Sequence, residues 1–526
     1  MVLSTTFSIY QGVVVRDATN EIVDLITNHK SIETLKFVKF GLLLLGLALA
    51  SGLFMFLMRQ TIIVMSRFIE YDQKNELFAH YQTLDTSFYK KNTTGDLMNR
   101  ISEDVGKVRM YTGPDIMYLI NTFATVVIVL LFMFRINWQL TLLVFIPLPF
   151  LSYAIYKVSD LINKRSTKVQ EELSKLTSHT QETFSAIRVI KAYAREKHYI
   201  HEMEQLNADY KKHNLRLAIV EAFFQPVMVL MVGISVIVTI WFGGRLVIHN
   251  TIEPGNITEF IVYVFKLTWP FASLGWVTSL IQRASASQTR INEFLNQRSS
   301  IKNTPEVKEK INGKIEFKNV SFTYADSGIE ALRNFNLILE KGKTLGVKGQ
   351  IGSGKSTLAN LITRQYDVHQ GDIFIDDHSI KKYDLFELRK SIGYVPQEVF
   401  LFSDTIRNNI AFSAKQTYSE EEIIQAAKDA GVYDNIMSFP HGFDTVVGER
   451  GVTLSGGQKQ RISIARAIIS KPQILIFDDC LSAVDVETEV LILNNLKSIM
   501  KDKTCIIISH RDSALRYADK VVELEA

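Results

Sequence analysis

The run Gly349-Gln350-Ile351-Gly352-Ser353-Gly354-Lys355-Ser356 has residue types and spacing suited to holding phosphate. Glycines at these positions let consecutive backbone amides turn toward one anion. A helix beginning at the end of the run adds its unpaired N–H groups and positive dipole end. Lys355 is placed to reach the β- and γ-phosphates of a nucleotide, and the Ser356 hydroxyl, followed by Thr357, to ligate Mg²⁺. The context agrees: Ile315 to Val320 and Thr344 to Lys348 read as strands, the second leads directly into the loop, and a helical pattern follows. Downstream, Ile474-Leu475-Ile476-Phe477 is the apolar run of a buried parallel strand, which delivers Asp478 to its carboxyl end as a second Mg²⁺ ligand.

Between them, Leu454-Ser455-Gly456-Gly457-Gln458 heads a helix with Lys459 and Arg461 in its first turns. A phosphate loop, then LSGGQ, then a strand-borne Asp resembles the ABC ATPase family, and the resemblance extends across the whole second part of the chain. It implies that Tyr324 stacks on adenine, that Gln397 in Tyr394-Val395-Pro396-Gln397 is the Q-loop residue reaching metal and attacking water, and that Asp479 holds the place of the catalytic base. Ser482-Ala483-Val484-Asp485 resembles the D-loop and His510 the switch histidine. The resemblance further implies ATP and Mg²⁺ as ligands and head-to-tail pairing of two ATPase domains. Ser455, Gly456, Gly457 and Gln458 would then complete the γ-phosphate cage of the nucleotide on the other domain's P-loop.

One position departs from the family pattern. The usual base is a Glu directly after the Walker B Asp, and here that residue is Asp479. One methylene fewer draws the carboxylate back by roughly 1.5 Å, and a misplacement on the order of 1 Å can cost about a hundredfold in rate. Lys355, Ser356, Asp478 and Tyr324 are retained, so nucleotide binding is expected to persist. The expectation is a slow or non-hydrolytic site on this chain's P-loop, with its intact signature serving a working site on a different partner. A homodimer in which Asp479 still acts as base is the alternative.

The elements that carry these residues lie in one half of an uneven chain. Its 526 residues are 47% hydrophobic and 22% charged, close to a soluble protein's average, yet the long apolar runs all precede residue 300. Phe40 to Met58, Ile116 to Phe134 and Ala222 to Trp241 contain no Asp, Glu, Lys or Arg and have the length of a bilayer span. Leu140 to Tyr156 is slightly shorter, and Phe260 to Ile281 is broken only by Lys266. Met1 to Val15 lacks the basic n-region and cleavage site of a signal peptide and reads as the outer half of a span that starts partway through. Soluble helices of this length are amphipathic, so the runs imply a lipid bilayer partner and six spans, the first incomplete. They exclude a soluble ATPase working on nucleic acid. A net charge of +4 from 59 basic and 55 acidic residues gives no nucleic-acid signal either. Cys480 and Cys505 give neither metal spacing nor a disulfide framework.

Basic residues orient the bundle. Arg59 to Asp115 holds eight Lys or Arg and Lys157 to Arg216 holds twelve, which marks both as cytoplasmic, with Arg16 to Lys39 as an external loop. Lys164 to Leu217 has no Pro or Gly, so these segments read as long helices extending the spans, with turns near Phe88, Tyr89 and Gly95 and within Ala194 to Glu202. Lys266 costs about 2.5–3.5 kcal/mol near mid-bilayer. At 1.5 Å per residue it lies about 10 Å below the outer end of its span, where it either lines the transport path or snorkels.

The fold expected is an all-α transmembrane bundle of the type IV ABC exporter, followed by an α/β P-loop ABC ATPase domain. Residues 1–290 form the transmembrane domain, 291–311 the linker and 312–526 the ATPase, short at its C-terminus. Asn137-Trp138-Gln139-Leu140 and Gly448-Glu449-Arg450-Gly451 fit the exporter type, the latter resembling the loop that touches helices descending from the membrane domain. Phe400 to Thr405 (FLFSDT) and Gly448 to Ala467 most resemble the Mdl-type subunits of heterodimeric bacterial multidrug exporters. The resemblance implies ATP-driven export of hydrophobic or amphipathic compounds, drugs or lipids, across the cytoplasmic membrane, with the ATPase in the cytoplasm and a second half-transporter as partner. A homodimeric lipid or peptide exporter and an ATP-gated regulator without transport share these motifs.

Overall fold

The computed structural model describes residues 1–29, 34–350, 352–412, 417–448, 451, 454–480 and 486–524. The chain divides into two units: residues 1–79 with 98–296, and residues 80–97 with 297–526.

The first unit is helical. Its elements are α1 (Val2–Thr27), most of α2 (Thr34–Thr83) and α4 (Thr94–Ile136), and α5 (Trp138–Phe145), α6 (Pro147–Ser185), α7 (Ile187–Ala192), α8 (Glu196–Ile248) and α9 (Pro254–Leu295). Among the described residues α2, α4, α8 and α9 are long and apolar enough to cross a membrane. On α2 the side chains of Leu42, Leu45, Leu49, Leu53 and Phe56 are exposed. An outward face of this kind is stable against hydrocarbon and costly in water.

Four local features differ from the sequence reading. The helix of α1 continues through Arg16 to Thr27 where a loop was expected, and its polar groups find partners: Arg16 pairs with Asp17 at 2.7 Å and with Glu259 at 3.7 Å. The apolar run Leu140 to Tyr156 is divided at Ile146, because Pro147 has no N–H to donate and its ring crowds the preceding turn. Within α4, Arg100–Asp104 and Tyr111–Asp115 are π-helical, the second around Pro114. The turn expected within Ala194 to Glu202 is confined to its start, with Ala194 at φ +52° and α8 beginning at Glu196.

The seam between α1 and α9 carries a cluster of polar contacts at its outer end. Asn20 donates to Glu253 at 2.5 Å and accepts from the Gly255 amide at 2.7 Å, and Thr19 meets Thr258 at 3.2 Å. Glu259, 1% exposed, accepts from Tyr263 at 2.7 Å. Deeper, Ile9, Phe260, Tyr263, Val264 and Leu267 join Val129, Met133, Leu140 and Val144 in one apolar core.

The second unit contains α3 (Thr86–Lys91) and the ATPase. Asp85 caps α3 by accepting from the Phe88 amide at 3.1 Å, and its other oxygen accepts from the Ser300 amide at 2.6 Å. A four-stranded antiparallel sheet has the order β2 (Glu330–Leu339), β1 (Ile315–Thr323), β4 (Gln370–Ile375), β5 (His378–Ser379). A five-stranded parallel sheet has the order β6 (Ile392–Val395), β7 (Ile474–Asp478), β8 (Thr504–Ile508), β3 (Thr344–Gly349), β9 (Lys520–Leu524). All five residues of β7 and of β8 are buried, as central parallel strands covered on both faces must be.

A Cβ at Gly255 would lie 2.3 Å from the Arg16 carbonyl oxygen and 2.5 Å from Asn20 Oδ1, whereas one at Gly233 meets nothing within 4 Å. Gly255→Ala is therefore expected to destabilise the membrane unit by about 1–3 kcal/mol, read as a lower thermal melting point in detergent. Gly233→Ala is expected to leave it unchanged or raised.

Candidate nucleotide site

Parallel strands deliver their carboxyl ends to one rim, and the sheet order places three functional segments there. The P-loop leaves β3, Asp478 ends β7, and His510 follows β8, which lies between them. Register makes this exact at the backbone: the Asp479 amide donates to Ile508 O at 2.9 Å and the Ser509 amide to Val347 O at 3.2 Å.

Helix α10 (Lys355–Ile362) begins at Gly354, which has φ +85° and whose Cβ would fall 2.2 Å from the Ala331 carbonyl, so a side chain is excluded on both counts. Lys355 folds back across the loop, donating to the carbonyls of Gly349 at 2.8 Å and Gln350 at 2.6 Å. Burial pulls its ammonium below the ordinary lysine range, partly opposed by the charges of Asp479 and Asp478. Ser356 Oγ donates to Asp478 Oδ1 at 3.0 Å. Gly352 lies in the same loop with φ +89°. The Ser353 hydroxyl is buried without a hydrogen-bond partner. Ile351 lies outside the described residues.

Two oxygen ligands held 3.0 Å apart, a lysine whose donors rest on loop carbonyls, and an orphaned buried hydroxyl fit a magnesium–triphosphate group. Tyr324 lies beside the loop, its hydroxyl 3.1 Å from Thr357 Oγ1 and its ring edge-on to Phe322 and Tyr366. Gln397 Nε2 donates to Asp479 Oδ2 at 3.4 Å, joining the Q-loop residue to the position of the base. Burial raises the carboxyls of both Asp478 and Asp479 above the usual aspartate range. For Asp478 the hydrogen bonds from Ser356 and Tyr394 oppose the rise; for Asp479 the charges of His510, Arg511 and Lys355 do so.

The signature residues form a separate arrangement. Ser455 is the N-cap of α11 (Gly456–Ile468): its hydroxyl accepts from the Gln458 amide at 3.3 Å while Gln458 Oε1 accepts from the Ser455 amide at 2.9 Å. This capping box holds Gly456 and Gly457 in the first turn with their amides unpaired by the helix, ready for an anion. Glu449 and Arg450 of the loop before it and Ser482 to Asp485 of the D-loop lie outside the described residues.

Three contributors were not identified from sequence. Tyr394, one strand over on β6, donates to Asp478 Oδ2 at 3.3 Å; it stands inside the Tyr-Val-Pro-Gln motif and could have been found there. Glu489, fully buried in α12 (Val486–Met500), accepts from Arg511 at 2.5 Å and from Ser513 at 2.6 Å, tethering the segment that bears His510. Lys90 of α3 sits 4.4 Å from the centroid of the Tyr324 ring, a contact across sequence distance that carries no local signal.

Comparison with known proteins places this geometry in context. A family described as "ABC transporter transmembrane region" matches residues 3–271, and one described as "ABC transporter" matches residues 332–482. A "Probable multidrug resistance ABC transporter ATP-binding/permease protein YheI" of Bacillus subtilis (strain 168) is 38% identical over 86% of this chain and 77% of its own length. A "Multidrug resistance-like ATP-binding protein MdlA" of Buchnera aphidicola subsp. Schizaphis graminum is 37% identical over 96% of this chain and 87% of its own. An "ATP-dependent lipid A-core flippase" of Syntrophus aciditrophicus is 35% identical over 95% and 83%. The fold matches a bacterial Atm1-family ABC exporter solved with ATP bound, at a TM-score of 0.80 and 23% identity, over 99% of this chain and 92% of that one.

Two outcomes follow from the site. Removing the Tyr324 ring in Tyr324→Ala is expected to weaken ATP binding by about 1–3 kcal/mol, the worth of one base–aromatic stack, while Tyr324→Phe, which loses only the bond to Thr357, stays within a few-fold; titration with a fluorescent nucleotide distinguishes them. A Mg²⁺ held by Asp478 would require its ionised form, and burial raises that carboxyl, so any tightening of nucleotide binding by sub-saturating Mg²⁺ is expected to fade on acidification at a pH above the ordinary aspartate range. Asp478→Asn is expected to abolish both the tightening and its pH dependence.

Proposed function

Since this chain belongs to the ABC transporter family, with membrane region and ATPase fused so that ATP hydrolysis is coupled to transport, we propose that it is one half of an exporter of hydrophobic or amphipathic compounds whose own nucleotide site binds Mg·ATP but turns it over slowly. The relatives named for multidrug resistance and for lipid A-core flipping support cargo of that kind. The observation that carries the nucleotide reading is the Ser356–Asp478 pair at the sheet rim. Mg²⁺ bound there would neutralise charge on the β- and γ-phosphates. Around it Lys355 holds the phosphates and Tyr324 orients the base. Gln397 and His510 would position an attacking water.

The reading of slow turnover rests on Asp479. Its carboxylate is one C–C bond shorter than the family's usual Glu, and its backbone has φ +44°, a conformation that Asp tolerates better than longer side chains. Gln397 and the field of His510, Arg511 and Lys355 hold it in place, so it cannot extend toward a water farther out. Exporters of this family work as dimers in a lipid bilayer. The capped signature helix α11 is intact and suited to completing a second, hydrolytic site whose P-loop and Glu come from a different half-transporter. Six spans complete the reading of the membrane domain.

Purifying the chain alone and co-expressed with a candidate partner, and comparing ATPase rates, tests this. The pair is expected to exceed the lone chain by about a hundredfold, and Asp479→Glu is expected to raise the lone chain's rate. Robust turnover by the lone chain, unchanged by Asp479→Glu, would overturn the slow site and favour a homodimer.

A further inference from the structure

Lys266 stands within a stretch of α9, Phe260 to Ile281, that contains no other Asp, Glu, Lys or Arg. Its ammonium donates to the Ser8 hydroxyl of α1 at 2.7 Å. An ammonium carries three donors, and no carboxylate forms an ion pair with Lys266 among the described residues. Its neighbours on the same seam are matched: Arg16 pairs with Asp17 and Glu259, Glu259 also accepts from Tyr263, and Glu253 accepts from Asn20. A satisfied polar belt therefore closes the outer end of the seam, and an unneutralised cation lies below it.

The register excludes snorkelling as the reason for its position. The two helices run antiparallel, with Thr258 beside Thr19, Glu259 beside Arg16, Tyr263 against Gly12 and Lys266 beside Ser8. Helical side chains lean toward their own N-terminus, which for α9 is the end bearing the polar belt, so a snorkelling lysine would reach up to the level of Gly12 or Arg16. The ammonium instead meets Ser8, one turn deeper than Gly12. Beside it runs an aromatic stripe. At 100° per residue, Phe265, Trp269 and Trp276 fall within one narrow sector adjacent to Lys266, and all three are exposed on this chain (60%, 61% and 42%).

We propose that Lys266 and this stripe form a cargo subsite for amphipathic compounds with an anionic group, a carboxylate or phosphate taken by the ammonium and an apolar body laid on Phe265, Trp269 and Trp276. This rests on the exporter reading above and deepens it to a substrate class. The unmet donors of Lys266 supply the charge complement, and Ser8 holds the ammonium in place between cargo molecules.

Matched probes test it on the full transporter, with its partner, in nanodiscs. An NBD-labelled fatty acid is compared with its methyl ester, and NBD-phosphatidylglycerol with NBD-diacylglycerol, each by the concentration that half-maximally stimulates ATPase activity. The anionic member of at least one pair is expected to act at a concentration about tenfold or more lower than its neutral counterpart, the worth of a hydrogen bond to a charged group; which pair responds distinguishes carboxylate from phosphate. Lys266→Met is expected to erase that ratio by weakening the anionic probe alone, and Lys266→Arg to preserve it. A ratio near one in the unmodified protein, or equal weakening of both members by Lys266→Met, overturns the proposal while leaving the exporter reading standing. Should Lys266→Met fail to assemble, Lys266→Gln gives the same comparison. If no probe or neutral hydrophobic dye stimulates ATPase activity or accumulates in inverted vesicles with ATP, the exporter reading itself fails.

Discussion

A buried carboxylate at the end of a buried strand is the constraint on which the rest of the ATPase unit depends. Asp478 is 2% exposed, and a charge so placed is tolerated only with hydrogen-bond donors or a cation close by. Neighbouring elements supply them: the P-loop helix gives the Ser356 hydroxyl and the Lys355 charge, and β6 gives the Tyr394 hydroxyl. The parallel order β6-β7-β8-β3 brings these donors to one rim, because each comes from the carboxyl end of a strand or from the helix that follows it. The isoleucine-rich interiors of β7 and β8 fix that rim by burying both faces of the sheet. The Ser356–Asp478 pair is thus the local solution to a desolvation problem that the fold itself creates.

What the sequence made legible were features encoded over short stretches. The glycine spacing of the P-loop, the apolar run before Asp478, the LSGGQ run heading its helix and the charge-free spans each declare themselves within a few turns of chain. Features that depend on distant segments meeting were hidden. Lys90 over Tyr324 and Glu489 under Arg511 join residues whose neighbours in sequence say nothing of the contact. The extension of α1 past Arg16 was missed because a polar, charged stretch reads as a loop until its partners on α9 are known. The break at Ile146 was readable from Pro147 but was outweighed by an apolar composition that suits either one helix or two.

The membrane unit handles charge by a different rule. On the α1–α9 seam each polar group at the outer end is matched within the same pair of helices, so the seam can remain closed there without help from solvent. Gly12 and Gly255 make this possible by letting the Tyr263 ring and the Arg16 backbone approach where a side chain would collide. Below that belt, among the described residues, Lys266 meets α1 through a single hydroxyl, that of Ser8. Deeper along the seam, the apolar core that joins Ile9 to Phe260, Val264 and Leu267 holds its register.

Asp479 connects the two kinds of reasoning. Lys355, Gln397, His510 and Arg511 act on it through charge or a hydrogen bond, and against the family's usual Glu the side chain is one methylene shorter. A left-handed backbone at this position favours a short polar side chain, which makes the Asp locally comfortable, whereas a Glu would carry a conformational cost offset only by its reach toward water. Binding depends on groups that surround the phosphates from several directions and tolerates that change. On the proposed reading, hydrolysis depends on one distance and does not tolerate it. The residue that separates the two is therefore the one where local backbone preference and catalytic reach pull in opposite directions, and in this chain the backbone preference is met.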